Sequence, residues 1–193
     1  MTSDHSAGWE AVADAFVAIR SETGAALVGS WARNTLPPSA AILDIGCGSG
    51  VPIARTLASA GFTVWGIDAS PSLIAAYRRN LPDMPAACEP VQTGDFFGRS
   101  FAGAVAIGLV FLLDAHDQRM LLGNVANVLE PGGRFLFSAP RERCEWRDTL
   151  TGRTSVSLGA DAYEAHLISV GLRLARCHID EGGNNYYEAV KRV

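Results

Sequence analysis

Short apolar runs and longer segments with helical spacing alternate through the middle of the chain. The apolar runs are typical of strands, and they lie at 40–45, 62–68, 85–89, 102–108 and 133–139. Helical segments are expected at 51–61, from Ser70-Pro71 onward, at 117–129 and at 160–170. Strands that are apolar on both faces and alternate with helices indicate a parallel sheet that is covered on both sides. The pattern therefore predicts a doubly wound α/β domain.

The two ends of the chain follow different patterns. Near the C-terminus, 172–179 and 185–193 are typical of strands, and only "DEGGN" separates them, so an antiparallel hairpin is expected. With these two strands, the prediction is a mostly parallel, seven-stranded sheet with an antiparallel C-terminal strand, which is a Rossmann-like arrangement. Near the N-terminus, apolar residues at helical spacing predict one helix from Trp9 to Arg20 and a second over 25–31.

Composition narrows the class of protein. At 193 residues the chain is expected to form one domain. Sixteen basic and twenty acidic residues give a formal net charge of −4, which disfavours nucleic acid and anionic membranes as partners. The first ten residues lack a signal-peptide pattern, and no apolar run approaches the ~20 residues of a membrane helix. A soluble, cytoplasmic protein is expected, and its oligomeric state is left open.

The cysteines favour the same compartment. There are four of them, far apart and without a CxxC pair: Cys47, Cys88, Cys144 and Cys177. Neither a metal site nor a disulfide framework is expected from this spacing, so the pattern favours a reducing environment.

The first predicted strand runs into "DIGCGSG", residues 44–50, where glycine occupies every second position. Such a turn lies at the carboxyl edge of a parallel sheet, where open α/β sheets bind ligands. Gly46 and Gly48 are expected to let a ligand lie against the backbone, since a Cβ would block it and the turn needs positive φ. Gly50 would allow the helix that follows the turn to pack closely. Asp68 ends the next predicted strand, and a carboxylate there can accept hydrogen bonds from ribose hydroxyls.

These motifs resemble those of the class I S-adenosylmethionine-dependent methyltransferases. The family's glycine motif is (D/E)xGxGxG, which "DIGCGSG" matches at every fixed position, whereas the dinucleotide fingerprint GxGxxG is not matched. Three further segments are similar and occur in the family's order: "VWGIDAS" (64–70), "FAGAVAIGLVFLL" (101–113) and "LEPGGRFLFSAP" (129–140). Ala102 stands where the family usually has Asp. The [DNS]-P-P-[YF] signature of enzymes that methylate adenine, cytosine or glutamine nitrogens is absent.

The resemblance implies S-adenosylmethionine as the cofactor and suggests its contacts. Arg20 would pair with the carboxylate of the cofactor, and Asp68 would hold the ribose. The acid after the third strand would meet the adenine, and it is either Glu89 or Asp95, of which strand length favours Glu89. The implied cofactor-binding residues are Arg20, Asp44, Gly46, Cys47, Gly48, Gly50, Asp68, Ala69, Glu89, Pro90, Val91, Gly108 and Leu109.

Few side chains are candidates for the chemistry itself. Methyl transfer from a sulfonium requires neither a nucleophilic side chain nor a metal, and it needs a general base only when the acceptor arrives protonated. His116, just after the fourth strand, is the candidate catalytic residue, and His5 could enter the site when a lid closes. A solvated, acceptor-facing loop is predicted over 141–153. Three aromatic residues are expected to pack in the core: Trp9, Phe16 and Trp31.

The expected organisation is a single methyltransferase domain over residues 1–193. It comprises a helical lid (1–36), a cofactor-binding core (40–140) and an acceptor-side loop, helix and C-terminal hairpin (141–193). The implied function is transfer of a methyl group to an oxygen or nitrogen of a small-molecule acceptor by in-line displacement. Two alternatives stay open: a protein that binds S-adenosylmethionine without methyl transfer, and a nicotinamide-dependent oxidoreductase.

Overall fold

The computed structural model describes residues 5–193, in which strands and helices alternate. The strands are β1 (Ala41–Ile45), β2 (Thr63–Asp68), β3 (Ala86–Cys88), β4 (Phe101–Ala106), β5 (Leu129–Ser138), β6 (Cys144–Arg147), β7 (Thr154–Ser157), β8 (Leu172–Ile179) and β9 (Asn185–Lys191). The α-helices are α1 (Ala13–Ile19), α2 (Ala25–Thr35), α3 (Ile53–Ser59), α4 (Pro71–Asn80), α5 (Ala115–Val128) and α6 (Ala160–Ser169). Short 3₁₀ turns lie at Glu10–Val12, Phe96–Gly98 and Val110–Leu112. None of the helices in 5–193 is long and apolar enough to cross a membrane.

Seven of the strands form one sheet in the order β3-β2-β1-β4-β5-β9-β8. The strands β1 to β5 run parallel, and β9 is antiparallel to both of its neighbours, β5 and β8. The predicted α/β fold with an antiparallel C-terminal strand is therefore confirmed. The strand order reverses between β1 and β4, and in open α/β sheets a ligand-binding crevice forms outside the carboxyl ends of the strands at such a reversal.

Side chains of the central strands are buried on both faces of the sheet. On β1, Leu43 and Ile45 join the apolar cluster that includes residues of α5 and α6, whereas Ile42 joins the cluster that includes residues of α2 and α3. All three side chains are fully buried. Alternate residues of a strand point to opposite faces, so a strand between two helical layers must be apolar at nearly every position. This requirement explains the continuous apolar runs in the sequence.

The N-terminal segment differs from the single helix predicted from Trp9 to Arg20. It consists of a 3₁₀ turn followed by the short helix α1, and the apolar stripe is not buried as in a core helix, since Ile19 is 65% exposed. Phe16 lies over the glycine turn, where a Cβ on Gly48 would come within 3.1 Å of its ring. The segment thus covers the carboxyl edge of the sheet rather than the hydrophobic core. Residues 5–20 are called the lid segment below.

The loop predicted over 141–153 is also replaced by regular structure. Strands β6 and β7 pair as a separate antiparallel hairpin, with Cys144 opposite Ser157 and Arg147 opposite Thr154. The connecting turn is held by the carboxylate of Asp148, which accepts hydrogen bonds from backbone N–H groups at 150 and 151. Four-residue strands with mixed polarity carry too little periodicity to be recognised in a sequence.

Phe137 is expected to contribute strongly to the free energy of unfolding. Its ring is fully buried and stacks on Phe135 and Tyr187, with ring centroids 5.1 and 4.9 Å apart, and it meets Tyr163 edge-on at 5.5 Å. Substitution Phe137→Ala should lower the free energy of unfolding by about 3–5 kcal/mol, because it removes buried surface and leaves a cavity. Urea denaturation measures this loss. The control Ile168→Ala, at a half-exposed position of α6, should cost well under half as much, and equal losses would contradict the prediction.

Candidate active site

The glycine turn connects β1 to α3 and is tied to the neighbouring strand. Gly46, Gly48 and Gly50 all have positive φ, at 68°, 54° and 79°. The N–H groups of Gly46 and Cys47 both donate to the carbonyl oxygen of Ile67, at 2.8 and 3.0 Å. These bonds continue the β1–β2 pairing beyond the end of β1, so the turn has a fixed position at the carboxyl edge of the sheet.

Asp68, the last residue of β2, bridges two segments at this edge. Its Oδ2 accepts a hydrogen bond from the Gly48 N–H at 3.0 Å, and its Oδ1 accepts one from the Ser70 N–H at 2.9 Å. Burial raises the pKa of Asp68, while the two backbone donors act in the opposite direction. Each carboxylate oxygen keeps a second lone pair, so the group can accept further hydrogen bonds from a ligand.

Asp44 lies beneath the same turn and is almost completely buried. Its Oδ2 is inaccessible to solvent and has no hydrogen-bond partner. Burial and repulsion from Asp68 raise the pKa of Asp44 to about 7, although the Arg20 guanidinium lowers it. A buried carboxylate oxygen without a partner is costly. The site therefore favours a ligand that brings a hydrogen-bond donor or a positive charge to this position.

A cavity with a volume of about 170 Å³ opens above the turn. Its floor is made by the carboxyl edge of the sheet, and the lid segment contributes the opposite wall. Twelve lining residues come from the sheet edge and the chain that follows it: Gly46, Gly48, Asp68, Ala69, Leu73, Val91, Gln92, Ile107, Gly108, Leu109, Leu112 and Leu113. Lid residues that line it include His5, Trp9, Phe16 and Arg20. This space is called the nucleoside cavity below, because its acid and apolar slot are suited to a sugar and a base.

A second cavity of about 610 Å³ adjoins the first. The two share Arg20, Ile107 and Gly108, so they meet at the end of β4. The rest of its lining comes from turns and strand ends, among them the 3₁₀ turn after β4, strand β6 and the β8–β9 turn. It includes Phe111, Ser138, Trp146, Asn184, Asn185 and Tyr186. This space is called the acceptor cavity below.

The thirteen predicted cofactor residues divide into eight that line the nucleoside cavity and five that do not, and Glu89 and Pro90 belong to the second group. Eight of them line the nucleoside cavity: Arg20, Gly46, Gly48, Asp68, Ala69, Val91, Gly108 and Leu109. Asp44 and Cys47 are buried in or beneath the turn instead. Gly50 serves packing, since a Cβ there would lie 2.8 Å from the Tyr77 ring of α4. Thus the helix that requires the third glycine is α4 and not the helix directly after the turn.

Glu89 and Asp95, the two candidate partners of adenine, do not line the cavity. Burial and the Asp95 carboxylate raise the pKa of Glu89, and backbone N–H groups of the same loop oppose this effect. Glu89 lies against Gly94 in its own loop, and Asp95 caps the next 3₁₀ turn by accepting the Phe97 N–H. Gln92 lines the cavity instead. Its Nε2 donates to Asp117, at 2.7 Å, and its buried Oε1 has no partner.

His116 lies apart from both cavities. It is exposed on the first turn of α5, where its backbone N–H donates to the carboxylate of the helix cap Asp114. The geometry does not support the catalytic role predicted for it. His5 does line the nucleoside cavity.

Sequence reasoning missed the lid aromatics and the acceptor side. Trp9 and Phe16, expected in the core, line the nucleoside cavity and meet edge-on at 5.4 Å, whereas Trp31 is buried in the core. Their helical spacing was visible, but it cannot distinguish a core from a ligand-facing stripe. Trp146 carried no signal, because its place depends on a distant contact with Phe111, at 5.3 Å between ring centroids.

Comparison with known proteins shows similarity to methyltransferases. Residues 42–133 match a family model described as a methyltransferase domain. An O-methyltransferase of Pyrenophora dematioidea is 26% identical over 167 residues, which cover 75% of this chain and 59% of that protein. The chain spans less than two thirds of the length of the curated relatives it matches.

Solved structures share the fold over nearly the whole chain. The CcbJ methyltransferase of Streptomyces caelestis has a TM-score of 0.79 at 14% identity, covering 99% of this chain and 100% of that one. The 1,6-didemethyltoxoflavin-N1-methyltransferase of Burkholderia thailandensis, crystallised with its substrate and S-adenosylhomocysteine, has a TM-score of 0.77 at 16% identity, covering 100% and 92%. At such low identity the likeness establishes the fold.

The raised pKa of Asp44 predicts a pH-dependent stability difference. The folded carboxyl ionises at about pH 7 and the unfolded one near 3.8. Its stabilising contribution is therefore fully present below pH 4 and is lost as pH rises to about 7. Asp44→Asn cannot ionise. Between pH 5 and 8, the free energy of unfolding of the variant should rise relative to wild type by roughly 2–3 kcal/mol.

Urea denaturation at several pH values measures this difference. Asp83→Asn, at an exposed position before β3, is the matched control and should follow the wild-type profile. A constant gap between Asp44→Asn and wild type at every pH would contradict the proposed titration of Asp44.

Proposed function

We propose that this chain is a class I S-adenosylmethionine-dependent methyltransferase and that it transfers a methyl group from that cofactor to an oxygen or nitrogen of a small molecule by in-line displacement. The observation that carries the proposal is the bridge from the Asp68 carboxylate to the Gly48 N–H beside a cavity floored by bare backbone. This hydrogen bond places an acid that can bind a sugar beside the glycine turn, in one wall of the cavity. A nucleoside cofactor requires that arrangement.

The residues present fit the cofactor at two unpartnered atoms. The buried Oδ2 of Asp44 lacks a donor, and the ammonium group of the amino-acid end would supply one. The buried Oε1 of Gln92 lacks a donor too, and the exocyclic amine of adenine would supply it. Because Gln92 donates its own Nε2 hydrogen to Asp117, the amide is oriented with its oxygen free to accept.

The remaining contacts follow from the cavity lining. Asp68 would accept the ribose hydroxyls, and apolar Leu73 and Val91 would flank the adenine. Arg20, where the two cavities meet, would pair with the carboxylate of the cofactor. When bound, the cofactor supplies a methyl group on a positively charged sulfur. The chain's part is to hold the acceptor in line with that group and to exclude water.

We expect the lid segment to move when the cofactor enters. A volume of about 170 Å³ is below the roughly 300–1,000 Å³ of ordinary small-molecule sites. Glu10 fastens the segment to the start of α4, because its carboxylate accepts hydrogen bonds from Ser70, from the Ser72 hydroxyl at 2.6 Å and from the Ser72 N–H at 3.1 Å. We expect these bonds to break and re-form in each cycle, so that Trp9 and Phe16 cover the bound nucleoside.

The acceptor is proposed to be a small molecule for two reasons. Neighbouring folds include an N-methyltransferase of the heterocycle 1,6-didemethyltoxoflavin, and a curated relative is named an O-methyltransferase. In addition, the acceptor cavity of about 610 Å³ lies within the usual size range of small-molecule sites. Transfer of radiolabelled methyl from the cofactor to a metabolite panel tests the activity directly.

Asp68→Ala should weaken the binding of S-adenosylhomocysteine about 100-fold. It removes a charge-assisted acceptor of two ribose hydroxyls, and hydrogen bonds to charged groups contribute about 1.5–3 kcal/mol each. Asp68→Asn should have a smaller effect, because an amide oxygen still accepts the N–H of Gly48. Isothermal titration calorimetry measures both variants, and circular dichroism checks that they fold.

Asp95→Ala, at an exposed acid of the next loop, is the control and should bind like wild type. Titration with NAD distinguishes a methyltransferase from the alternative, a nicotinamide-dependent oxidoreductase. Tight NAD binding without binding of S-adenosylhomocysteine would indicate an oxidoreductase and overturn the proposal. Binding of S-adenosylhomocysteine without any methylated product would indicate a protein that binds the cofactor but does not transfer its methyl group.

Gln92, rather than Glu89 or Asp95, is expected to recognise the adenine. Gln92→Ala should weaken the binding of S-adenosylhomocysteine by about five- to tenfold, the value of one hydrogen bond of roughly 1 kcal/mol. The informative comparison is with inosine-containing S-inosylhomocysteine, which lacks the exocyclic amine. Wild type should discriminate against this analogue, and Gln92→Ala should not. If Glu89→Ala abolishes the discrimination and Gln92→Ala retains it, the assignment is wrong.

A further inference from the structure

We infer that the acceptor is a planar compound with a weakly acidic O–H or N–H group, such as a phenol, an enol or an N–H heterocycle, and that it reacts as its anion. This inference rests on the proposed function and names its substrate class. It is carried by the lining of the acceptor cavity, which combines an aromatic wall with neutral polar groups and one cation.

The aromatic wall consists of Phe111 and Trp146. Their ring planes are tilted by 44° and their centroids lie 5.3 Å apart. Phe111 belongs to the 3₁₀ turn after β4, and Trp146 is brought to it by the β6–β7 hairpin. Both side chains are partly exposed and both line the cavity. Aromatic faces bind flat, conjugated molecules better than compact aliphatic ones of the same volume.

The cavity lacks a free proton acceptor. Among its lining residues within 5–193 there is no Asp, Glu or His. A protonated alcohol or an ammonium group must lose its proton before it can attack a methyl group, and it needs a base for that step. An acceptor with an acidic O–H or N–H loses the proton to solvent on its own.

Tyr186 and Asp180 are the nearest candidates for a proton relay, and their hydrogen bonds argue against one. The Tyr186 hydroxyl donates to Asp180 Oδ2 at 2.9 Å. Asp180 also accepts hydrogen bonds from the backbone N–H groups of Gly182 and Asn184, and from the Asn184 side chain. Burial alone would raise the pKa of Asp180, but these donors outweigh it and lower the pKa, so the carboxylate is a weak base. Burial and the Asp180 carboxylate raise the pKa of Tyr186, which keeps its proton.

The charges around the cavity favour an anion over a cation. Among the lining residues within 5–193, Arg20 carries a charge, and it lies at the junction with the nucleoside cavity. Its guanidinium has five N–H donors, so it can pair with the carboxylate of the cofactor and still donate to an acceptor anion. Glu181, from the β8–β9 turn, accepts the Gly24 N–H at 3.0 Å and does not line the cavity. Ser138 adds a neutral donor, since its Oγ accepts the Gly108 N–H and its own hydrogen remains for a ligand.

The transfer step then balances without an enzymatic base. The acceptor gives its proton to solvent before or during binding. A lone pair of its anionic oxygen or nitrogen forms the bond to the methyl carbon, while the bond from that carbon to sulfur breaks and sulfur keeps the electron pair. Opposite charges on the acceptor and the sulfonium cancel in the products, so no proton has to leave a closed site.

The test uses the full-length protein saturated with S-adenosylhomocysteine and two probes, 4-methylumbelliferone and lumazine. Each probe has different absorption spectra for its neutral and anionic forms. We expect at least one to bind as the anion at a pH where the free probe is mostly neutral, with its pKa lowered by about one unit or more. Arg20→Ala, measured at a concentration of S-adenosylhomocysteine that saturates the variant, should abolish that shift. Trp146→Ala should weaken binding about tenfold or more, and Trp146→Phe should weaken it less.

Control variants distinguish a general effect on the structure from the proposed effect on acceptor binding. Glu145→Ala changes an exposed neighbour of Trp146 on β6 that does not line the cavity, and it should bind both probes like wild type. With radiolabelled cofactor, the pH at half-maximal kcat/KM should follow the pKa of the acceptor across a series of substituted umbelliferones. It should stay unchanged in His5→Ala, which removes a histidine of the nucleoside cavity.

The outcomes separate two failures. If S-adenosylhomocysteine does not bind, the proposed function itself is wrong. If it binds but both probes fail to bind or bind as neutral molecules, the acceptor class is wrong. Faster methylation of cyclohexylamine or cyclohexanol than of any umbelliferone would also overturn the inference, as would a pH profile that follows His5.

Discussion

The hydrogen bond from the Gly48 N–H to the Asp68 carboxylate is the constraint on which the site depends. It joins the glycine turn after β1 to the end of β2, and the Ser70 N–H joins the same carboxylate to the start of α4. The three segments that we propose to surround a nucleoside therefore share one anchoring group. The sheet register already places Ile67 opposite Ile45. The carboxylate therefore has to position only the short stretch of backbone that follows these residues, and the turn forms without a ligand.

That preorganisation has an electrostatic cost. Asp44 is buried and Asp68 is partly buried at the same edge. Burial and the Asp68 carboxylate raise the pKa of Asp44, and burial raises the pKa of Asp68. The Arg20 guanidinium relieves part of the cost at Asp44. A cofactor with a positive sulfur and an ammonium group would relieve more. Under the proposed function, the unfavourable charge at this edge is converted into affinity for a cationic ligand, which gives a physical reason for two acids beside a backbone turn.

The sequence predicts the fold and the cofactor edge because both depend on local patterns. Apolar runs, glycine spacing and the Ser70-Pro71 helix start each lie within a few residues of the structure they specify, and Ser70 Oγ accepts the Leu73 N–H as a cap should. Gln92 and Trp146 could not be predicted in this way. The role of Gln92 depends on Asp117, which is 25 residues away, and that of Trp146 depends on Phe111. Phe16 was misassigned because an apolar stripe that faces a cavity has the same period as one that faces a core.

The two cavities therefore differ in how tightly the fold constrains them. The nucleoside cavity is built on strand ends and a turn whose backbone hydrogen bonds would be lost if the sheet changed register. The acceptor cavity is built by side chains on a 3₁₀ turn, a two-stranded hairpin outside the main sheet and the β8–β9 turn. Replacing Phe111, Trp146 or Asn184 would leave the pairing of β1, β2 and β4 intact. If the proposed function holds, acceptor preference can change by substitution at these positions while the cofactor edge stays fixed, which is consistent with one fold serving many functions.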